Sequence, residues 1–308
     1  MPQKSVVITI GDPAGCGPYI TLKAIEELSN CKAQFYVVGD KKILNRFDVY
    51  KKISRRIALI DLDTSGIEKL RAGYASKLSG RASINYLDAA LKLMGKCGMR
   101  RLVTAPLSKE AVQLNIAHFK GHSEYLADYF RRSIEMMMVS NKLKTVLFTR
   151  HVLFKKVPFF ITETNLNNTF SLVFKSLKEI FKIKQPRIAV ASLNPHAGKD
   201  TFLGKEEKVI YKVVSNFRNN FYGPYPSDSL FTESAIKKYD CIIALYHDQG
   251  MIPFKLLSMK TGVNLTLGLP IIRTSPAHGI AADLMRASKE PFASSMVEAI
   301  KLALRLSI

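Results

Sequence analysis

SVVITIGDPAGCGPYITLKAIEEL (residues 5–28) reads as strand, loop and helix in succession. Residues 5–10 are apolar and β-branched, the composition of a strand buried on both faces. Gly11, Pro13, Gly15, Gly17 and Pro18 then break the pattern and form a loop. Beyond it Leu22, Ile25 and Leu28 recur at helical spacing. The same unit repeats along the chain. Strands are expected at 33–38, 57–62, 101–105, 145–149, 187–193, 241–246 and 263–267, and helices at 83–94, 165–181, 205–217 and 291–304. Alternating strands and helices over 308 residues argue for an α/β fold of mostly parallel sheets in about two domains.

Composition narrows the class. Hydrophobic residues make up 47% and charged residues 23%, which excludes a disordered, collagen-like or disulfide-framed chain. No apolar run reaches the ~18 residues of a membrane-spanning helix. The start, MPQKSVVITIGDP, runs straight into a turn and is no secretory signal, so a cytoplasmic location is expected. Cys16, Cys31, Cys97 and Cys241 lack CxxC spacing and read as free thiols. The formal net charge is +21. Its densest clusters (Lys51, Lys52, Arg55 and Arg56; Lys142, Lys144, Arg150, Lys155 and Lys156) are short and not interleaved with aromatics. Nucleic-acid binding is therefore not expected. The charge reads as a solvated surface, or as a field that attracts small anions.

Open parallel sheets bind ligands at the carboxyl ends of their strands. Of six histidines, His151, His196 and His247 fall just after expected strands, on separate stretches of the chain. One such histidine is ordinarily structural. Three at equivalent positions suit a divalent metal with an open coordination position. Asp248 follows His247, either as its hydrogen-bond partner or as a general base. A second group suits anions: His122 and Ser123 open a helix, Lys255 and Arg273 flank the 263–267 strand, and Asn264 lies on it. Each of these also reads as a helix cap or a surface cation. There is no GxGxxG, Walker A or GxSxG motif.

The stretches ITIGDPAGCGP (8–18), TAPLSKEAV (104–112), GHSEYLA (121–127), NPHAG (194–198), GPYPSDSLF (223–231), YHDQGMIPFK (246–255) and GVNLTLGLPIIRTSPAHG (262–279) occur in that order. Together they resemble the 4-hydroxythreonine-4-phosphate dehydrogenase family of vitamin B6 (pyridoxal 5'-phosphate) biosynthesis. The resemblance implies two α/β/α domains with an interdomain cleft, as in isocitrate and isopropylmalate dehydrogenases. The first domain would hold residues 1–120 and 270–308; the second, 121–269, would carry the metal ligands and dimer contacts. It implies metal ligands at His151, His196 and His247, one of them from the second subunit, hence a homodimer with a shared site. Substrate contacts are implied at His122, Ser123, Lys255, Asn264 and Arg273, with Asp248, then Asp228, as the base. The implied cofactors are NAD or NADP, bound without the standard fingerprint, and one divalent ion. Zinc, cobalt and manganese suit imidazoles, and magnesium suits them poorly. The implied reaction oxidises and decarboxylates 4-phosphooxy-L-threonine to 3-amino-2-oxopropyl phosphate.

The chain departs from the family pattern at several points. Cys16 and Tyr19 replace an apolar and an acidic residue, Ser108 an Asn and Ser123 a Thr. Pro276, Ala277 and Ile280 remove an acid and a hydroxyl, and 284–288 lacks the family's glycine. The changes at 276–288 fall in the loop where the family is expected to meet its cofactor. Two alternatives follow: a sister dehydrogenase acting on a phosphorylated threonate or erythronate, and a non-catalytic basic nucleic-acid binder on the same fold.

Overall fold

The computed structural model describes residues 4–198 and 204–308. Its strands are β1 (Ser5–Thr9), β2 (Gln34–Gly39), β3 (Ile57–Asp61), β4 (Arg101–Thr104), β5 (Glu135–Val139), β6 (Lys144–Leu147), β7 (Ile188–Ala191), β8 (Phe221–Tyr225), β9 (Cys241–Ala244), β10 (Val263–Leu267) and β11 (Ile272–Pro276). The chain divides into two compact units, Met1–Arg131 with Leu269–Ile308, and Arg132–Gly268.

The first unit is built on strands in the order β3-β2-β1-β4-β11, every pair parallel. Val6, Val7, Ile8, Phe35, Val37, Leu102 and Val103 are fully buried, as the apolar runs require. The helix Lys77–Cys97 buries Ile84, Leu87, Leu91 and Met94. Ser76 and Ser79 cap its start reciprocally, and Gly98, at φ 64°, ends it. The helix His122–Phe130 also belongs to this unit, so the division falls after Arg131 rather than at 120. Its Leu126 is buried, and its Tyr125 ring lies 6.3 Å from that of Phe119.

The glycine-rich loop after β1 is dictated by space. A Cβ on Gly17 would sit 2.0 Å from the carbonyl oxygen of Ile10, a backbone atom that cannot move aside alone. Gly17→Ala is expected to destabilise the protein by about 2 kcal/mol. A urea midpoint equal to that of the unmodified chain would refute this.

The second unit has the order β10-β5-β6-β9-β7-β8. The pairs β10/β5 and β5/β6 are antiparallel, and β6, β9, β7 and β8 run parallel. The parallel strands direct residues 148–151, 192–198 and 245–248 to one end of the sheet. The helix His247–Ser258 packs closely there: a Cβ on Gly250 would lie 2.6 Å from Leu147 and 3.0 Å from Ala244 Cβ. Among the described residues no helix is long and apolar enough to cross a membrane.

Three strands, one long helix and several short helices are absent from the sequence reading. β5 is a methionine run whose one β-branched residue is its last, Val139, and β8 contains Gly223 and Pro224, which confine it to a sheet edge. β11 reads as polar, yet all five of its residues are buried. The helix from His247 contains Gly250 and Pro253, residues that ordinarily argue against one.

Candidate functional site

At the rim of the second unit, short hydrogen bonds tie the strand ends together. Thr149 donates to the Leu245 carbonyl through both its backbone N–H (3.2 Å) and its hydroxyl (2.6 Å). This joins the chain leading to His151 with the chain leading to His247. The buried Gln249 accepts from Leu245 N–H (2.6 Å) and donates to the Ser192 carbonyl and the Ser227 hydroxyl (both 2.7 Å). One amide thus links β7, β9 and the turn carrying Asp228. Glu207, 2% exposed, accepts from the N–H groups of Leu193 (2.9 Å) and Asn194 (2.7 Å) and from the Asn194 side chain (2.8 Å). It therefore anchors the turn that presents His196.

The His151 and His247 rings lie 6.0 Å apart between centroids. Two imidazoles on one tetrahedral ion keep their centroids roughly 5–6 Å apart, so this pair fits a shared metal. His247 Nδ1 meets Asp248 Oδ1 at 2.6 Å, which leaves Nε2 for a ligand. His196 and Ala197 adopt left-handed φ of 55° and 56°, conformations that few non-glycine residues hold without a reason. Among the described residues of one chain, no group of three or more His, Cys, Asp or Glu side chains is placed to hold a metal ion. The structure therefore joins His151 with His247 and does not complete the expected trio within a single chain.

In the first unit the centre is Arg273, on β11 and 2% exposed. Its Nη2 donates to Thr104 Oγ1 (2.6 Å), at the carboxyl end of β4, and its Nη1 to Ser123 Oγ (3.3 Å). Burial lowers its pKa to about 10, opposed by the charge of Glu124, so it remains a cation at neutral pH. Neighbouring His122 is pushed well below its usual value, by burial and then by Arg273. It is thus a neutral imidazole, able to donate and to accept. Asp12, of the first loop, is 1% exposed and accepts from Ala14 N–H (2.8 Å). Burial raises its pKa, and its contacts fit a loop-shaping role.

The remaining expected residues lie on the second unit. Lys255, Asp228 and Asp248 are exposed. Asn264 pairs in register with Met138, and its Nδ2 reaches Met136 Sδ at 3.2 Å. Its Oδ1 is buried without a hydrogen-bond partner among the described residues, an atom that a ligand would satisfy.

The family model of the pyridoxal phosphate biosynthetic protein PdxA matches residues 13–303. The chain belongs to the PdxA family. It is 36% identical over 321 residues to a 4-hydroxythreonine-4-phosphate dehydrogenase of Desulforapulum autotrophicum, covering 96% of this chain and 93% of that one. It is 34% identical to a D-threonate 4-phosphate dehydrogenase of Salmonella typhimurium over the full length of both. A crystal structure of 4-hydroxythreonine-4-phosphate dehydrogenase from Klebsiella pneumoniae superposes with a TM-score of 0.85 at 31% identity, covering 99% of this chain and 98% of that one.

Within this PdxA-family chain, sequence reading gave no role to Thr104, Glu207 or Gln249, whose importance lies in hydrogen bonds between distant strand ends. It also passed over Glu135. That carboxyl begins β5 and accepts from Thr169 Oγ1 at 2.6 Å; burial raises its pKa to about 7, against the pull of Thr169 and Arg150. Between its usual value and 7 the folded state holds a proton that the unfolded chain releases, so stability falls as pH rises through that window. Glu135→Gln keeps the acceptor and removes the titration. It is expected to match the unmodified protein near pH 4 and to exceed its stability at pH 8 by up to about 3 kcal/mol. Urea midpoints at the two pH values test this, and a difference independent of pH would refute it.

Proposed function

We propose that the chain is a metal- and nicotinamide-dependent dehydrogenase. It oxidises and decarboxylates 4-phosphooxy-L-threonine, giving 3-amino-2-oxopropyl phosphate, CO2 and the reduced cofactor. The observation that carries this reading is the family match across 13–303, with relatives of that name aligned along nearly their whole length.

The chain's own residues fit the roles. His151, His247 and His196 would hold the ion, and the 6.0 Å separation of the first two rings supports this. When bound, a divalent ion polarises the substrate hydroxyl, and NAD or NADP accepts the hydride. That His151 and His247 gain no third ligand among the described residues of one chain is consistent with a homodimer that shares its sites. So is the apolar stripe on the helix His247–Ser258, where Ile252 and Leu256 are 59% and 83% exposed, continued by Met259 at 78%. Arg273, with Thr104 and Ser123 holding its guanidinium, binds an anionic group of the substrate, and Lys255 binds another. Neutral His122 and the unsatisfied Asn264 Oδ1 orient the substrate's polar groups. The Asp248 carboxylate is engaged with His247 and orients that imidazole, which favours Asp228 as the group that removes the hydroxyl proton.

The Salmonella relative, equally complete in coverage, favours a second reading, in which the substrate is D-threonate 4-phosphate. Both substrates present a phosphate, a carboxylate and a secondary alcohol. Purified protein with zinc, cobalt or manganese, given NAD or NADP and each substrate in turn, separates the two readings by absorbance of the reduced cofactor and by product analysis. Turnover of the threonine phosphate alone supports the first reading, and turnover of the threonate alone supports the second. Reduced cofactor from neither, under every combination, overturns both.

A further inference from the structure

Residues 279–288, where the chain departs most from the family pattern, pack onto the first unit's Gly/Pro loop. Cys16 N–H donates to the Ile280 carbonyl at 3.0 Å. Gly73 joins the two segments: its N–H donates to the Ala14 carbonyl (2.7 Å), and its own carbonyl accepts from Arg286 Nη1 (3.2 Å). No side chain fits at Gly73, where a Cβ would lie 2.6 Å from both the Ala282 carbonyl oxygen and Arg286 Cγ. Three pieces of chain, distant in sequence, are thus fixed together beside the carboxyl end of β1.

On this platform stands Tyr74, 43% exposed. The Arg71 guanidinium lies 4.2 Å from its ring centroid and the Arg286 guanidinium 5.8 Å. One cation suffices for a structural cation–π contact; two on a single ring repel each other. Asp283 pairs with Arg286, but its side chain is 92% exposed, so solvent screens that pair and leaves much of the local positive charge. Two guanidinium groups over the ring of an exposed tyrosine suit a phosphate monoester, and a purine stacks on either type of group.

We propose that Arg71, Tyr74 and Arg286 form a subsite for a ribose 2'-phosphate, so that this chain prefers NADP to NAD. The proposal rests on the nicotinamide-dependent reading above. A 2'-phosphate is the one group NADP carries that NAD lacks, and its dianion matches a cationic pair open to solvent. The pyrophosphate, common to both cofactors, gives no such discrimination.

Calorimetric titration of the full-length protein with NADP, NAD, 2',5'-ADP and 5'-AMP tests this directly, independent of turnover. NADP and 2',5'-ADP are expected to bind about tenfold or more tightly than NAD and 5'-AMP, with the advantage shrinking as salt rises. Arg71→Ala and Arg286→Ala are each expected to weaken NADP and 2',5'-ADP by about tenfold and to leave NAD within about twofold. Equal affinities in the unmodified protein overturn the subsite, as does an NADP preference that survives both substitutions. A loss for Arg286→Ala that affects NAD and NADP alike also overturns it, since the residue would then only brace the Gly73 loop. Arg71 is exposed, so its variant keeps the test valid if Arg286→Ala lowers the melting temperature. Arginine-dependent binding of 2',5'-ADP without turnover of any substrate upholds the subsite and removes the dehydrogenase reading. Turnover with NAD and NADP alike removes the subsite and keeps that reading.

Discussion

His196→Ala is expected to lower turnover by roughly a thousandfold, and a chelator is expected to do the same to the unmodified protein. The two losses differ in one respect: zinc, cobalt or manganese restores the chelated protein and does not restore the variant. The expectation starts from the backbone. His196 holds φ 55° in a turn anchored by Glu207 and adjoining Ser192, whose carbonyl takes the Gln249 amide. That scaffold aims an exposed imidazole away from the core. Removing an exposed ring disturbs no packing, so the melting temperature is expected to stay nearly constant while activity disappears. Mixing the His196→Ala protein with the His247→Ala protein extends the test. If His196 serves a site whose other histidines come from the partner chain, the mixed dimers recover activity that neither variant has alone. A His196→Ala protein within tenfold of full activity would remove the residue from the ligand set.

The α/β class was legible because buried parallel strands such as Val6–Val7–Ile8 are apolar without interruption, and because helices such as Lys77–Cys97 repeat that character at helical spacing. The position of the histidines was legible for the same reason: strand ends locate the rim, and His151, His196 and His247 follow strand ends. What sequence could not show is how distant rims are tied together. Gln249 joins Leu245, Ser192 and Ser227, residues up to 57 positions away, and nothing local marks it as more than a polar residue on a helix. β11 escaped notice because Arg273, Thr274 and Ser275 read as surface residues. Arg273 and Thr274 are buried with partners: Thr104 and Ser123 accept from the guanidinium, and the Ala299 carbonyl accepts from the Thr274 hydroxyl. Glu135 escaped because an acid at a strand start ordinarily faces water. Here the Thr169 hydroxyl takes the place of water. Periodicity reports burial of apolar side chains; it is silent on polar groups buried by pairing, and those groups build this candidate site.

Arg273→Met is expected to reduce kcat/KM by about 10²–10³-fold, because it removes charge-assisted hydrogen bonds to an anionic substrate, each contributing about 1.5–3 kcal/mol. Most of the loss should appear in KM if Arg273 holds a group remote from the reacting carbon. The fold should survive, since replacing a fully buried charge with an apolar side chain of similar volume is often neutral or stabilising. The substitution also carries a readout independent of substrate. Arg273 is one of two causes that hold His122 below its usual pKa, burial being the larger. Without the guanidinium, the His122 titration followed by NMR is expected to move upward, toward the ordinary histidine value, while remaining depressed by burial. The sign has a consequence for stability. Below the usual histidine value the unfolded chain takes up a proton that folded His122 refuses, so this residue makes stability fall as pH falls; in Arg273→Met the fall should begin at the same pH but be smaller. An unchanged His122 titration would show that the two side chains are not electrostatically coupled. A conservative Arg273→Lys variant completes the argument. Lysine keeps the charge but cannot donate to Thr104 and Ser123 from one planar group, so it should retain the depressed His122 while failing to restore substrate affinity.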